Sequence, residues 1–116
     1  MSFMTELNTI LNPIAPVETG VFSGIAPNEY IVITPMVEYA AVTADNRPVI
    51  DVHEARIMLY TKNNYIAQKN RIIKALLDNN FVVIDRRYVG YYEDTKYHSF
   101  AVDAAKEYFT EVELDG

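Results

Sequence analysis

The stretch NYIAQKNRIIKALLDNN, residues 64–80, decides the fold of this chain. Its large aliphatic side chains recur at three- and four-residue spacing: Ile66, Ile72, Ile73, Leu76 and Leu77. This period predicts a major amphipathic helix of about four turns over residues 64–79. Polar residues at 61–64 can cap its start, and the asparagines at 79–80 suit the left-handed conformation that often ends a helix.

Strand-like runs flank this helix on both sides. Residues 52–60 alternate between apolar and polar side chains, and residues 81–88 begin with the apolar run FVVI. Alternation with a period of two is typical of a half-buried strand, so Ala55, Ile57 and Leu59 share one face. We expect the helix to lie over that face as the crossover between two strands.

The N-terminal part predicts a short helix and a loop. Thr5 is expected to cap a helix that ends near residue 12, because Pro13 disfavours helical geometry in the residue before it. Residues 13–27 are rich in proline and glycine and are typical of a loop, with a brief extended piece at 17–22.

Residues 30–39 predict the first long strand. They are apolar on both faces, which is typical of a strand that is covered on both sides. Pro35 cannot donate a hydrogen bond within a sheet, so it indicates an edge strand or a bulge. Such an edge favours a partner chain. Residues 43–48 (TADNRP) have the composition of a turn.

The C-terminal part predicts a protruding β-hairpin over residues 81–102, with a wide aromatic tip that turns at 93–96. Residues 103–109 are ambiguous, because helix propensity competes with continuity of the strand. The acidic residues 110–116 are expected to form a frayed tail. The whole chain, residues 1–116, is predicted to be a single domain.

Composition excludes several classes of function. Ten basic residues against sixteen acidic ones give a formal net charge of −6, which argues against a groove that follows phosphates. The absence of cysteine excludes disulfides, thiolate metal sites and a cysteine nucleophile. No apolar run approaches the ~20 residues of a membrane span, and the start MSFMTEL lacks a signal-like core. We therefore expect an unprocessed protein made in the cytoplasm, without membrane or specific nucleic-acid partners.

Two groups of residues are candidates for a site of chemistry. His53 and His98 could recruit acidic residues to a metal, but neither has the spacing of a ligand pair, and a satisfied or solvated histidine is the favoured interpretation. Asp51, Glu54 and Asp85 resemble the carboxylates of a metal-dependent nuclease, but Lys62 lies beyond the strand and the negative surface would repel the substrate. The serines and glycines form no nucleophile elbow or phosphate loop. The sequence predicts no catalytic residue, metal or cofactor.

The sharpest cluster is the sequence DRRYVGYY at 85–92, because arginine and tyrosine are the residue types that carry protein–protein contacts. The alternative is a hairpin whose outer face is merely polar and aromatic. Together with the doubly apolar strand, this cluster predicts an interface made by Tyr30, Val32, Met36, Arg86, Arg87, Tyr88, Tyr91, Tyr92 and Tyr97.

The order of these segments resembles the small tail-completion proteins of long-tailed bacteriophages and prophages, the group that includes tail terminators. The matching pieces are the early helix, "P..YIVI" at 27–33, "VTADNRPVIDVHEARIMLYTK" at 42–62, the central helix, and "FVVIDRRYVGYYEDTKYHSFAVD" at 81–103. In order and spacing the resemblance spans residues 7–108. None of these pieces is a catalytic signature, so the resemblance is one of architecture.

The resemblance implies an α+β fold with both helices on one face of a mostly antiparallel sheet, and it favours a strand at 103–109. It also implies a homo-oligomeric ring, commonly a hexamer, at the junction of tail and head. The implied partners are further copies of the chain, the major tail tube protein and the head–tail connector protein. The implied location is the host bacterial cytoplasm during assembly and then the head-proximal end of the virion tail.

Other functions stay open at this point. Within the same class, the chain could be a head-completion or connector protein, or a tail-assembly factor that is absent from the virion. From other classes, the alternatives are the metal-dependent nuclease described above and a regulatory module that binds a host protein.

Overall fold

A five-stranded sheet with two helices forms the part of the chain that the structure, a computed structural model, describes: residues 2–19 and 26–110. The elements in chain order are α1 (Phe3–Leu11), β1 (Val17–Thr19), β2 (Glu29–Ala44), β3 (Arg47–Thr61), α2 (Tyr65–Asp78), β4 (Val82–Tyr92) and β5 (Tyr97–Phe109). The strand order is β1-β2-β3-β5-β4, and only the β1–β2 pair is parallel. The protein is therefore of mixed α+β class and mostly sheet.

The core lies between the helices and one face of the sheet. Ile57 stands at its centre, in register with Ile33 on β2 and Val102 on β5, and all three are buried. The predicted face of β3, formed by Ala55, Ile57 and Leu59, is confirmed as core. The same cluster includes Leu7 and Leu11 of α1 and Ile72, Ile73 and Leu76 of α2.

The helix α2 begins and ends as its sequence predicts, but its buried stripe differs. Asn64 caps it through Oδ1, which accepts hydrogen bonds from the amides of residues 66 and 67 at 3.0 and 3.3 Å. Ile66 and Leu77 were expected in the stripe, yet they are 50% and 55% exposed. At 100° per residue both lie at the edge of the stripe, whose centre is occupied by Tyr65 and Lys69.

The helix α1 begins earlier than predicted. Ser2, not Thr5, is its cap, because Ser2 is extended and its hydroxyl accepts a hydrogen bond from the Thr5 amide at 3.3 Å. The end is as expected, at Leu11 with Asn12 as the C-terminal cap. Of the extended piece predicted at 17–22, β1 covers the first three residues, and the others lie outside the described part.

The strand β2 is longer and less buried than predicted. Only its first part, residues 31–33, is buried, whereas residues 34–44 are exposed, so the expectation of cover on both faces fails there. The predicted edge and bulge are both present: β1 pairs only with residues 31–33, and the register shifts between Pro35 and Val37. Asp45 and Asn46 make the turn with φ of 52° and 62°, the signs of a type I′ hairpin loop.

The hairpin of β4 and β5 is present but does not protrude. Its last pair, Tyr92 with Tyr97, lies one position beyond the pair that ends β3, Thr61 with His98. The hairpin that leaves the body of the sheet is β2–β3 instead. Residues 103–109 continue β5, which confirms the strand that the resemblance implied. Residues 111–116 of the predicted tail lie outside the described part.

Candidate interaction surface

One exposed part of the sheet is the end of the β2–β3 hairpin, residues 34–54, here called the arm, in which residues 34–47 are all exposed. It contributes to an elongated shape of 54 × 26 × 22 Å. Large apolar side chains on its outer strand are about half exposed: Met36, Val37, Tyr39 and Val42. Past residue 33, β2 has no strand on its outer side in the described residues. An apolar free edge of this kind is where another chain can pair.

Acidic side chains accompany these apolar ones on the arm. Glu38, Asp45, Asp51 and Glu54 are its carboxylates, and Arg47 is its single basic residue. The imidazole Nδ1 of His53 lies 3.1 Å from a carboxylate oxygen of Glu38 across the β2–β3 pair. His53 therefore has a carboxylate partner at the surface, which agrees with the interpretation of a satisfied histidine.

A groove lined by basic side chains lies between α2 and β4, at the β4 edge of the sheet. Ile73, Leu77 and Phe100 line it, and the charged residues around it are Lys69, Lys74, Asp78 and Arg86. Lys69 Nζ lies 5.4 Å from the centre of the Phe100 ring, a cation–π contact. Lys74 Nζ donates to Asp78 Oδ2 at 2.6 Å. This groove, called here the α2–β4 groove, keeps positive charge beside exposed apolar surface.

The tyrosines divide between the two faces of the sheet. On the helix side, the Tyr65 ring lies 5.0 Å from the Tyr88 ring, and the Tyr88 hydroxyl shares a hydrogen bond with His98 Nδ1 at 3.0 Å. On the other face, Tyr30 stacks on Tyr60 with ring centres 4.9 Å apart. Burial, followed by neighbouring tyrosines, raises the pKa of both Tyr30 and Tyr60. The aromatic hairpin therefore contributes to two separate clusters.

The residues predicted to form the interface therefore do not lie on one continuous surface. Exposed members are Met36, Arg86, Arg87, Tyr88, Tyr91 and Tyr92, and Tyr30 is half-buried. Val32 and Tyr97 are each only 8% exposed, and the Tyr97 hydroxyl donates to the Pro27 carbonyl. Both serve the packing of the protomer itself, because their side chains are already covered. Met36 lies on the arm, far from the arginines.

The carboxylates of the nuclease alternative do not converge. Asp51 and Glu54 are three residues apart on β3, so their side chains point to opposite faces. Asp85 lies 3.8 Å from Arg87, on β4. Within residues 2–19 and 26–110, no three side chains of the histidine, cysteine, aspartate and glutamate types form a group that could hold a metal ion. The geometry gives the nuclease hypothesis no site.

Two polar networks that the sequence analysis missed hold the body together. Glu29 accepts hydrogen bonds from Thr61 at 2.7 Å, from Asn63 at 3.2 Å and from Gln68. Burial opposes ionisation of this carboxyl, but these hydrogen bonds, with the charge of Arg71, lower the pKa of Glu29 below its ordinary value. The network ties the start of β2 to the end of β3 and to α2. A lone glutamate before a strand gives no sequence signal for it.

The second network centres on Lys106 of β5. Its ammonium pairs with Glu6 of α1 and donates to the Asn79 carbonyl, at the end of α2, at 2.9 Å. It also lies 4.8 Å from the centre of the Phe81 ring. Both charged side chains are largely buried, 22% and 17% exposed. One lysine thus connects both helices to the sheet, a contact between residues that are 100 positions apart.

Comparisons with known proteins include a distant structural likeness. No protein-family model matches the chain, and no curated protein matches it. A solved structure described as "Virion of native gene transfer agent (GTA) particle" contains a chain that is 14% identical, with a TM-score of 0.47, over 90% of this chain and 84% of that one. A likeness of this size indicates no shared function. Among the described helices, none is long and apolar enough to cross a membrane.

Proposed function

We propose that this chain is a structural protein of a phage-like particle, and more narrowly a tail-completion protein of the tail-terminator kind. In this proposal it forms a homo-oligomeric ring, a hexamer, at the junction of tail and head. The proposal combines the sequence resemblance with one structural observation, the exposed apolar arm. The role is structural, and no catalytic step is assigned to any residue.

The observation that supports the proposal is the exposure of the arm. Exposing large apolar side chains to water is unfavourable, and a monomer would have no need to expose them. Four large apolar side chains lie together on residues 36–42, on a strand whose outer edge is free in the described part of the chain. Proteins usually protect such an edge with charges, a bulge or a covering element. Register shifts interrupt the pairing of this segment after Pro35 and on both sides of Val42, but its large apolar side chains stay about half exposed. An edge left apolar in this way favours contact with another chain.

The two further partners follow from the place of such a ring. One side of the ring would contact the major tail tube protein, and the other would contact the head–tail connector protein. The protein would assemble in the cytoplasm of the host bacterium and remain at the head-proximal end of the virion tail. The acidic character of the chain fits contacts with proteins better than contacts with packaged nucleic acid.

The experiment has two readouts. Light scattering coupled to size exclusion at micromolar concentration measures the mass of the free chain, and co-sedimentation measures its binding to purified tail tubes. The proposal expects a closed oligomer or binding to the end of the tube. A monomer that also fails to bind tubes overturns it. Absence of the protein from purified tails, with binding intact, would instead assign it to the tail-assembly factors.

A further inference from the structure

The face of the sheet opposite to the two helices, here called the open face, carries an apolar patch. The strand register places Val37, Ala105 and Val82 in one row across the sheet, with Tyr39 and Val52 in the next row. Along β3 these rows alternate with residues 55, 57 and 59, which pack in the core under the helices. In residues 2–19 and 26–110, both helices lie on the core side, so this patch faces outward. Its exposed apolar side chains, at 46–79% each, are Val37, Tyr39, Val42, Val82 and Phe109.

Two carboxylates lie within this patch. Glu54 is in the first row and Glu107 is in the second. Because Glu54 pairs with Ala105, Glu107 is its diagonal neighbour, at about 7 Å between Cβ atoms. Among the described residues neither carboxylate has a hydrogen bond or an ion pair. Arg56, two residues along β3 on the same face, is held by Asp103 through hydrogen bonds of 2.9 and 3.0 Å. The patch therefore lacks a cation of its own.

A shallow cavity of about 520 Å³ lies among these side chains. Both carboxylates line it, together with the apolar side chains of Tyr39, Val52, Val82 and Ile84. Lys106 also lines it, but the ammonium of Lys106 is paired with Glu6. A lysine or arginine from another molecule matches this lining, because its aliphatic stem packs on apolar surface while its charged head binds carboxylates. One such side chain can reach both carboxylates, since they are diagonal neighbours.

The size and the charge of the patch favour a short segment over a second copy of the chain. At ~4.8 Å between strands and ~3.3 Å per residue, four strands beside residues 50–54 of β3 cover about 300 Å². A stable interface between two proteins buries ~800 Å² on each partner. Two copies docked through this face would also bring their unpaired carboxylates together, and like charges repel. An extended segment with one basic side chain meets neither difficulty.

We propose that the open-face patch binds an extended apolar segment of another protein through one lysine or arginine of that segment, which contacts Glu54 and Glu107. This inference goes beyond the proposed function, because it concerns the side chains of the open face. The free backbone edge of β2, where a neighbouring copy is expected, stays available. A ring can therefore form with or without this contact.

Labelled peptides test the site on the full chain. The probes are three nonapeptides of alternating valine and threonine, which differ in having lysine, norleucine or glutamate at the centre. Fluorescence anisotropy measures their binding to the wild type and to a double variant, Glu54→Gln with Glu107→Gln. The matched control is Glu38→Gln, since Glu38 lies on the same arm but on the opposite face, in register with His53. Circular dichroism verifies the fold of each variant.

The lysine peptide is expected to bind the wild type about tenfold or more tightly than the other two, because it alone supplies a cation to the carboxylates. The double variant should lose this preference and keep its affinity for the norleucine peptide, while Glu38→Gln should bind all three like the wild type. A lysine peptide that does not bind, that binds no better than norleucine, or whose preference survives in the double variant overturns the site.

Sedimentation velocity without peptide separates this result from the proposed function. The double variant should have the same mass as the wild type at every concentration, because the patch is not the contact between copies. A lower mass for the double variant would assign the patch to self-association and overturn the inference. None of the peptide results alters the test of the ring, which rests on the mass of the free chain and on its binding to tail tubes.

Discussion

The strand β2 passes through two environments along its length. Ile31 and Ile33 are fully buried, with α1 and α2 in the core above them, whereas Val37 and Val42 farther along are each 46% exposed. Both halves are apolar in sequence, so composition does not separate them. The difference lies in what covers the sheet, because β1 and the helices cover only the first half. The two helices and the strand segments that they cover, here called the body, form a folded core, whereas residues 34–44 of the arm are an exposed surface.

The largest expected effect is a difference in the free energy of unfolding between two variants in β2. Ile33→Ala removes a fully buried side chain and is expected to lower the free energy of unfolding by about 2–5 kcal/mol, because it loses burial and leaves a cavity. Val37→Ala on the arm is expected to change it by about 0.5 kcal/mol or less. Urea denaturation at a concentration where the chain is monomeric measures both. Equal losses would mean that the arm belongs to the core.

The next effect concerns the charge that connects the helices to the sheet. Lys106→Ala leaves the Glu6 carboxylate largely buried without its cation and is expected to cost about 2–3 kcal/mol of unfolding free energy. The control is Lys74→Ala, whose pair with Asp78 has side chains 76% and 58% exposed, and whose expected cost is about 0.5 kcal/mol or less. Chemical denaturation compares the two. A similar small cost at both sites would contradict the role given to Lys106.

A smaller effect is linked to pH. Glu29→Gln weakens the hydrogen bonds from Thr61 and Asn63 and is expected to cost about 1–2 kcal/mol at neutral pH. Because the folded pKa of Glu29 is lowered, its contribution is present above its ordinary value of 4.5 and is lost as the pH falls through the folded pKa.

Denaturation curves measured across the acidic range test this sign. The wild type should lose stability more steeply than Glu29→Gln as the pH falls. Glu93→Gln, in the exposed turn between β4 and β5, is the matched control and should keep the wild-type profile. Parallel pH profiles for wild type and Glu29→Gln would contradict a contribution of the Glu29 carboxylate to the stability of the fold.

The smallest effect lies at the tip of the arm. Asn46 has a φ of 62°, a conformation that glycine adopts without strain, so Asn46→Gly is expected to stabilise the chain by about 0.5 kcal/mol or less. Association should be unchanged, since glycine keeps the shape of the turn and the exposed apolar side chains of β2 stay in place. Thermal melting and sedimentation check the two statements. A destabilising effect would show that the side chain of Asn46 is itself needed.

The elements could be predicted from sequence where one local period dominates. The helix at 64–79 and the buried face of β3 follow from spacing alone, and the turn at residues 45–46 follows from residue type. Ser2 was missed as a cap because Thr5 has the same chemistry. The extent of β2 was missed because an apolar strand has the same pattern whether covered or exposed. The place of the protruding hairpin depends on which strands pair, a property of the sheet as a whole.

The candidate surface was predictable only in kind. Arginine and tyrosine on β4 predict an interface, and Arg86 lines the α2–β4 groove. Alternation could not reveal that Val32 and Tyr97 are covered, because the cover of Tyr97 includes Pro27, which is 70 residues away. The positions of the acidic arm and the basic α2–β4 groove could not be predicted either, because they depend on which strands pair.

We infer that the arm is an association surface and that the body is a core that association leaves unchanged. Hydrogen–deuterium exchange of the full chain, measured from dilute to concentrated protein, tests it most directly. We predict that amides of residues 36–44 gain protection as the mass of the particle rises, while those of Ile31 and Ile33 keep the same protection throughout. A rise in mass with no change in exchange along the arm would contradict it.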